Sequence, residues 1–359
     1  MMISLPALGY NEFFRNEFSK IENTSYLPAR IISEHKGIYR VQDDQGEYLG
    51  EISGKLRYTA INRQDFPVVG DWVAIQRLEG EGKCIIHVIL PRKTKLSRKS
   101  PGKTIEEQIL CSNIDYIFIV QSMDATFNVN RIERYLSISW ESGAIPVVIL
   151  SKKDLCESPE SILLEAESAA IGAKVHAISS LEEDSLGIIK TYLTSGNTIA
   201  FIGHSGAGKS TLINKLSRRE LQKTNEIREA DSRGKHTTTH RELFVLDNGL
   251  LIDTPGLREI QLWGDESMLQ ETFTDIDSLS ALCKFVDCKH ESEPGCKIKE
   301  AIANGEISEE RFANYEKMKR ELEYLESRVD ESAMLQRKQK ERKFHKTFRE
   351  VLKQKYDSR

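Results

Sequence analysis

At 359 residues, 39% hydrophobic and 30% charged, the chain has the composition of a soluble folded protein and is too long for one ordinary core. No apolar run approaches the roughly 18 residues a membrane-spanning helix needs. The start, MMISLPALGYNEFFRNEF, lacks the pattern of an export signal, so a cytoplasmic protein with no membrane partner is expected.

The formal charge of −4 conceals an asymmetry. Gln336–Arg359 carries ten Lys/Arg against three Asp/Glu, and Pro91–Lys103 holds six Lys/Arg and no acid. These two patches suit an anionic partner, although a solvated tail is the alternative for the first. The six cysteines do not suggest a disulfide framework in a chain without an export signal. Cys84, Cys111 and Cys156 sit in or beside apolar runs and read as buried free thiols, whereas Cys283, Cys288 and Cys296 are clustered.

Residues 1–28 read as an N-terminal extension. From 29 to 96, RIISEHKGIYRVQD, EYLGEIS, DWVAIQRL and CIIHVIL are rich in β-branched and aromatic residues and are punctuated by Gly, Asp and Asn. About five short strands in this span predict a small barrel of the OB type, a frequent nucleic-acid-binding scaffold. The pattern alone does not separate that from a purely structural β domain.

A basic linker follows, and then the texture changes. DYIFIVQS and AIPVVIL are continuous apolar runs, as in strands buried on both faces, and NVNRIERYLSISWES between them has helical spacing. KVHAIS and TIAFIG extend the strand series, with PESILLEAESAA and SLGIIKTYL as the helices between. This alternation predicts a parallel α/β sheet over 97–265. Beyond Trp263 the strands stop, and 266–359 reads as a cysteine-bearing insert followed by a charged helical stretch from about Ser308.

Three motifs follow strand ends. Ser151-Lys152-Lys153-Asp154 is similar to the Asn-Lys-x-Asp signature that reads guanine. An Asp there can accept hydrogen bonds from guanine N1–H and the 2-amino group, donors adenine does not offer at those positions. Lys152 can lie against the ring, and Ser179 and Ser180 end the next strand where N–H groups could meet O6. Gly203-His204-Ser205-Gly206-Ala207-Gly208-Lys209-Ser210-Thr211 is a phosphate loop between a strand and a helix, with Lys209 placed for the β- and γ-phosphates and Ser210 for Mg²⁺.

Asp253-Thr254-Pro255-Gly256 follows a third strand, where Asp253 can hold Mg²⁺ through water and Gly256 can sense a γ-phosphate. Of Thr237, Thr238 and Thr239, spacing favours Thr239 as the switch threonine. Ordinarily the base signatures follow the phosphate loop; here they precede it with all parts present. The simplest account is a circular permutation, which leaves the site at the strand C-terminal ends undisturbed.

Cys283-x4-Cys288-x-His290-x5-Cys296 places three thiolates and an imidazole within fourteen residues. Four such ligands complete a tetrahedral zinc site without an open position, so a single structural ion is expected.

The stretch from RKTKLSRKSPGK to VVILSKKDL, together with GHSGAGKSTLIN, GKHTTTHREL and DTPGLRE, resembles the bacterial ribosome small-subunit-dependent GTPase A family. The resemblance implies a multidomain α/β protein: an OB-type barrel, a circularly permuted P-loop GTPase domain and a C-terminal zinc-binding helical domain. It also implies hydrolysis of GTP to GDP, stimulated by the small ribosomal subunit in its late maturation, with ribosomal RNA as a contact and a monomeric chain. Mg²⁺ would be held by Ser210, Thr239 and Asp253, and zinc by Cys283, Cys288, His290 and Cys296. His236 becomes the candidate to position water; packing within its loop is the alternative. Leu257, where many GTPases have Gln, cannot orient water, so slow hydrolysis by the isolated protein is expected. Ser151 and His204 depart from the usual residues at their places. A nucleotide-sensing RNA-binding module with incidental hydrolysis is the competing reading.

Overall fold

The computed structural model describes residues 3–100, 106–217, 241–253 and 261–329. Ser4 and Asn11 cap a 3-10 turn (Leu5–Leu8) and helix α1 (Glu12–Ser19), which bring Tyr10 and Phe14 against Trp72. Strands β1 (Leu27–His35), β2 (Ile38–Gln42) and β3 (Glu47–Ile52) form a meander. After helix α2 (Gly54–Thr59), strands β4 (Trp72–Leu78) and β5 (Lys83–Ile89) complete it. The order β1-β2-β3-β5-β4 with β4 returning to β1 closes a five-stranded barrel, as the sequence pattern predicted. Its filling is alternate residues of those strands, including Ile31, Val41, Val73, Ile75 and Ile86.

The basic stretch is more than a linker. It contains strand β6 (Lys95–Lys99), which pairs antiparallel with β7 (Glu107–Ser112); residues 101–103 of the stretch lie outside the described residues. Lys95 and Ser97 share Glu107 across the hairpin. Glu107 thus offsets the charge of Lys95 across the hairpin.

The nucleotide-type sheet comprises β8 (Tyr116–Ser122), β9 (Ile145–Ser151), β10 (Lys174–Ala177), β11 (Thr198–Ile202), β12 (Glu242–Leu246) and β13 (Gly249–Asp253). Its order is β10-β9-β8-β11-β13-β12, all parallel except β12. Helices α3 (Val129–Glu141), α4 (Pro159–Ala169), α5 (Glu183–Lys190) and α6 (Lys209–Ser217) are its crossovers and flanks. The central strands are buried on both faces, which explains their unbroken apolar runs. A bridge between Ser33 and Glu242 joins this sheet to the barrel.

Arg30 fastens three parts of the chain. It is 1% exposed, and its guanidinium donates to the carbonyls of Leu8, Gly70 and Asn113.

The C-terminal region has α7 (Thr274–Ser280), α8 (Lys297–Ala303) and a helix at 309–329. It docks on α3 through a desolvated cluster: Arg311 pairs with Glu133 and Asp275, and Asn314 donates to Glu133. Removing one partner of such a cluster typically costs about 3–5 kcal/mol. Arg134 adds a two-pronged pair to Glu321.

Candidate nucleotide site

Strands β8, β9, β10, β11 and β13 end on one edge, and the motifs singled out above follow those ends. The phosphate loop begins where β11 stops. Gly203 has φ +146°, and a Cβ there would lie 2.2 Å from the Val120 carbonyl oxygen, so the loop can start only with glycine. At its other end α6 opens at Lys209, its N-terminus facing the loop. Lys209 Nζ donates to the carbonyls of Gly203 and His204 at 2.6 and 2.7 Å. Burial lowers its pKa to about 8, and nearby Asp253, itself buried at the end of β13, opposes that shift.

The base-reading loop is strapped to the phosphate loop. Ser151 is buried, and its Oγ donates to the Ala207 carbonyl at 2.6 Å. Its side chain also packs against the position a Gly208 Cβ would take, 3.3 Å from that Oγ. The residue that departs from the guanine signature therefore still makes a loop-to-loop bond. Next to it Lys152 adopts a left-handed conformation at φ +61°. Asp154 is exposed, and its Oδ1 accepts a 2.5 Å hydrogen bond from Ser179 Oγ, which fixes the carboxylate toward the next strand end. The N–H of Ser179 is already engaged, donating to Ser185 Oγ at 3.2 Å. Thr239, Gly256 and His236 lie outside the described residues.

Two residues absent from the sequence reading complete this edge. Asp124 Oδ2 accepts from Lys152 Nζ at 3.1 Å, and Oδ1 accepts from Thr126 N–H and Oγ1–H. Burial pushes the Asp124 carboxyl up, but these donors outweigh it and hold it well below the ordinary carboxylate range. With its own proton on Asp124, Thr126 Oγ1 must accept from His204 Nε2, 3.0 Å away. The imidazole is thus the Nε2–H tautomer, and burial, with Arg131 and Lys209 nearby, lowers its pKa to about 4. An Asp-x-Thr turn just past a buried strand was the available signal. Asp124→Asn keeps the acceptor for Thr126 but turns an amide toward Lys152. Because both partners are about a third exposed, the expected loss is about two- to fivefold in GDP affinity. Pyrophosphate binding should be unchanged, and an equal loss for both ligands would rule out a role in placing Lys152.

The predicted metal ligands also converge. The ligand atoms of Cys283, Cys288, His290 and Cys296 lie within 4.8 Å of one another. His290 Nδ1 is 3.3 Å from Cys296 Sγ and 3.7 Å from Cys283 Sγ. A tetrahedral zinc ion spaces such atoms by about 3.5–3.8 Å, so the set fits. Ser280 Oγ contacts the other ring nitrogen at 3.2 Å, the second bond that orients a ligating imidazole.

A sequence profile of the RsgA GTPase family matches residues 89–263. A profile for ABC transporters matches 186–351, a span containing the phosphate loop that both kinds of protein use. The "Small ribosomal subunit biogenesis GTPase RsgA" of Opitutus terrae is 41% identical over 91% of this chain and 92% of its own. The relative "RsgA 1" of Oceanobacillus iheyensis is 42% identical over 88% and 91%. The chain belongs to the RsgA GTPase family.

Among solved structures, YjeQ from Thermotoga maritima superposes with a TM-score of 0.63 at 26% identity, covering 83% of this chain and 98% of that one. YloQ, described as a circularly permuted GTPase, gives 0.61 at 25%, covering 84% and 96%. Membership in the RsgA family makes the protein a GTP-hydrolysing enzyme and its motif order a circular permutation. The barrel, the permuted domain and the Cys3His cluster agree with the fold expected from sequence.

Proposed function

We propose that this protein is a cytoplasmic, monomeric GTPase of small-ribosomal-subunit assembly, whose hydrolysis is stimulated by that subunit and whose contacts include ribosomal RNA. The observation that carries the nucleotide half is the bond from Ser151 Oγ to the Ala207 carbonyl, which holds Asp154 on the same sheet edge as the phosphate loop. The names of the relatives from Opitutus terrae and Oceanobacillus iheyensis support the cellular half. The same reading divides the chain into an extension (1–28), a barrel (29–96), the GTPase domain (97–265) and a C-terminal domain (266–359).

In this reading the N–H groups of Gly203–Thr211 surround the phosphates, and Lys209 exchanges its two carbonyl acceptors for β- and γ-phosphate oxygens. Phosphate charge beside Lys209 offsets the burial that lowers its pKa, so the ammonium is retained on binding. Ser210, Thr239 and Asp253 would hold Mg²⁺, which when bound neutralises charge on the β- and γ-phosphate oxygens. Asp154 accepts from guanine N1–H and the 2-amino group, Lys152 covers the ring, and the N–H of Ser180 meets O6. Gly256 donates to the γ-phosphate and His236 orients the attacking water.

Single-turnover hydrolysis with and without small subunits tests the reading. Strong stimulation is expected, and His236→Ala should remove about 10²-fold or more of the stimulated rate, the range for a positioned catalytic group. No stimulation of the wild type would instead favour a nucleotide-sensing RNA-binding module. An undiminished rate in the variant would take His236 out of the mechanism.

A further inference from the structure

A cavity of about 630 Å³ lies where the barrel meets the β6–β7 hairpin and the start of β12. Its lining carries Lys36, Arg63 and Arg241 against a single carboxylate, Glu34. Arg98 reaches the same wall from β6, its Nε donating to the buried Gln108 at 3.2 Å. Positive charge therefore dominates a recessed site.

The pairing of these cations differs from that of the arginines that meet carboxylates elsewhere in the protein. Arg77, Arg92 and Arg311 bond to Asp43, Asp71 and Glu133. Among the described residues Arg63, Arg98 and Arg241 form no ion pair, and Arg241 Nε is buried without a hydrogen-bond partner. Burial lowers the Arg241 pKa, and Arg98 and Arg63 push it the same way. Arg63 is exposed, but holding like charges beside the buried Nε of Arg241 is unfavourable unless an anion joins them. Guanidinium forks match the oxygens of phosphate. In the segment leading to Arg63, Tyr58 is 91% exposed, and an exposed aromatic ring is a surface on which an unpaired base can stack.

We propose that this cavity receives a backbone phosphate of single-stranded RNA, with the guanidiniums of Arg63 and Arg241 as its donors and Arg98 adding charge behind Gln108. The proposal rests on the ribosomal reading above and says which feature of the RNA is gripped and where. Arg241 follows Thr239 by two positions, so an occupied cavity would anchor the chain where the threonine-rich segment enters β12.

The test uses the full chain saturated with GDP and a fluorescein-labelled oligouridylate. Removing two phosphate contacts in the Arg63→Gln/Arg241→Gln double variant should lower RNA affinity about tenfold or more. It should also flatten the log-affinity against log-salt slope by about 1.4. Tyr58→Ala should weaken binding about fivefold or more. GDP affinity should be unchanged. The melting temperature of the free double variant should hold or rise, because mutually repelling cations have been removed; arginines with a merely structural role would lower it.

Wild-type RNA affinity and slope in the double variant would overturn the proposal. So would tighter, arginine-dependent binding of inorganic pyrophosphate than of RNA, which would mark a site for a small free phosphate. Failure of the wild type to bind small subunits would sink the ribosomal reading itself, a result distinct from either.

Discussion

Asp154→Asn is expected to weaken GTP binding by roughly two to three orders of magnitude and to move preference toward xanthosine triphosphate. In the proposed reading the carboxylate offers two acceptors to guanine N1–H and the 2-amino group. Each charge-assisted bond contributes about 1.5–3 kcal/mol, and about 1.4 kcal/mol is a factor of ten. An asparagine amide keeps one acceptor for N1–H but turns a donor toward the second position, where xanthine carries a carbonyl. The fold should tolerate the change, because Ser179 Oγ donates to Asp154 Oδ1 and an amide oxygen accepts that bond equally well. Asp154 is also exposed, so no desolvated charge is removed from a core. Competition titrations with the two triphosphates check it; an unaltered preference would take base recognition away from Asp154.

Much of this site was legible because its physics is local in sequence. A glycine that must turn beside the Val120 carbonyl and a lysine at a helix start can be read from spacing alone. The permutation was legible because each motif trails its own strand, so chain order carries no geometric information. What escaped depended on partners distant in sequence. Ser151 was recognisable as a departure, but the Ala207 carbonyl that accepts its bond lies 56 residues on. Asp124 and Thr126 matter because Lys152 and His204 arrive from other loops. The β6–β7 hairpin read as a linker because most of β6 is polar; only Leu96 among its five residues is fully buried. Its strand character comes from pairing with β7 rather than from alternation.

Zinc removal should have the second large effect, and a confined one. The wild type is expected to carry one zinc ion per chain, and Cys288→Ser should lose it, whereas Cys84→Ser should not. Helices α7 and α8, seven residues each, are far shorter than the roughly 12–15 residues at which isolated helices become stable. The loop between them exposes Leu282, Phe285 and Val286, so little apolar burial holds it in place. Binding free energies for structural zinc in small peptides are about 10–16 kcal/mol, and that coupling is the main force available to this loop. The helix at 309–329 has a separate attachment through Arg311, Asn314 and Glu321 to α3. Chelation should therefore open 281–300 to hydrogen exchange and protease while leaving α3 and the 309–329 helix protected. Loss of protection throughout 266–329 would show that the metal also controls docking. Undiminished protection of 281–300 after complete metal removal would contradict a structural zinc site.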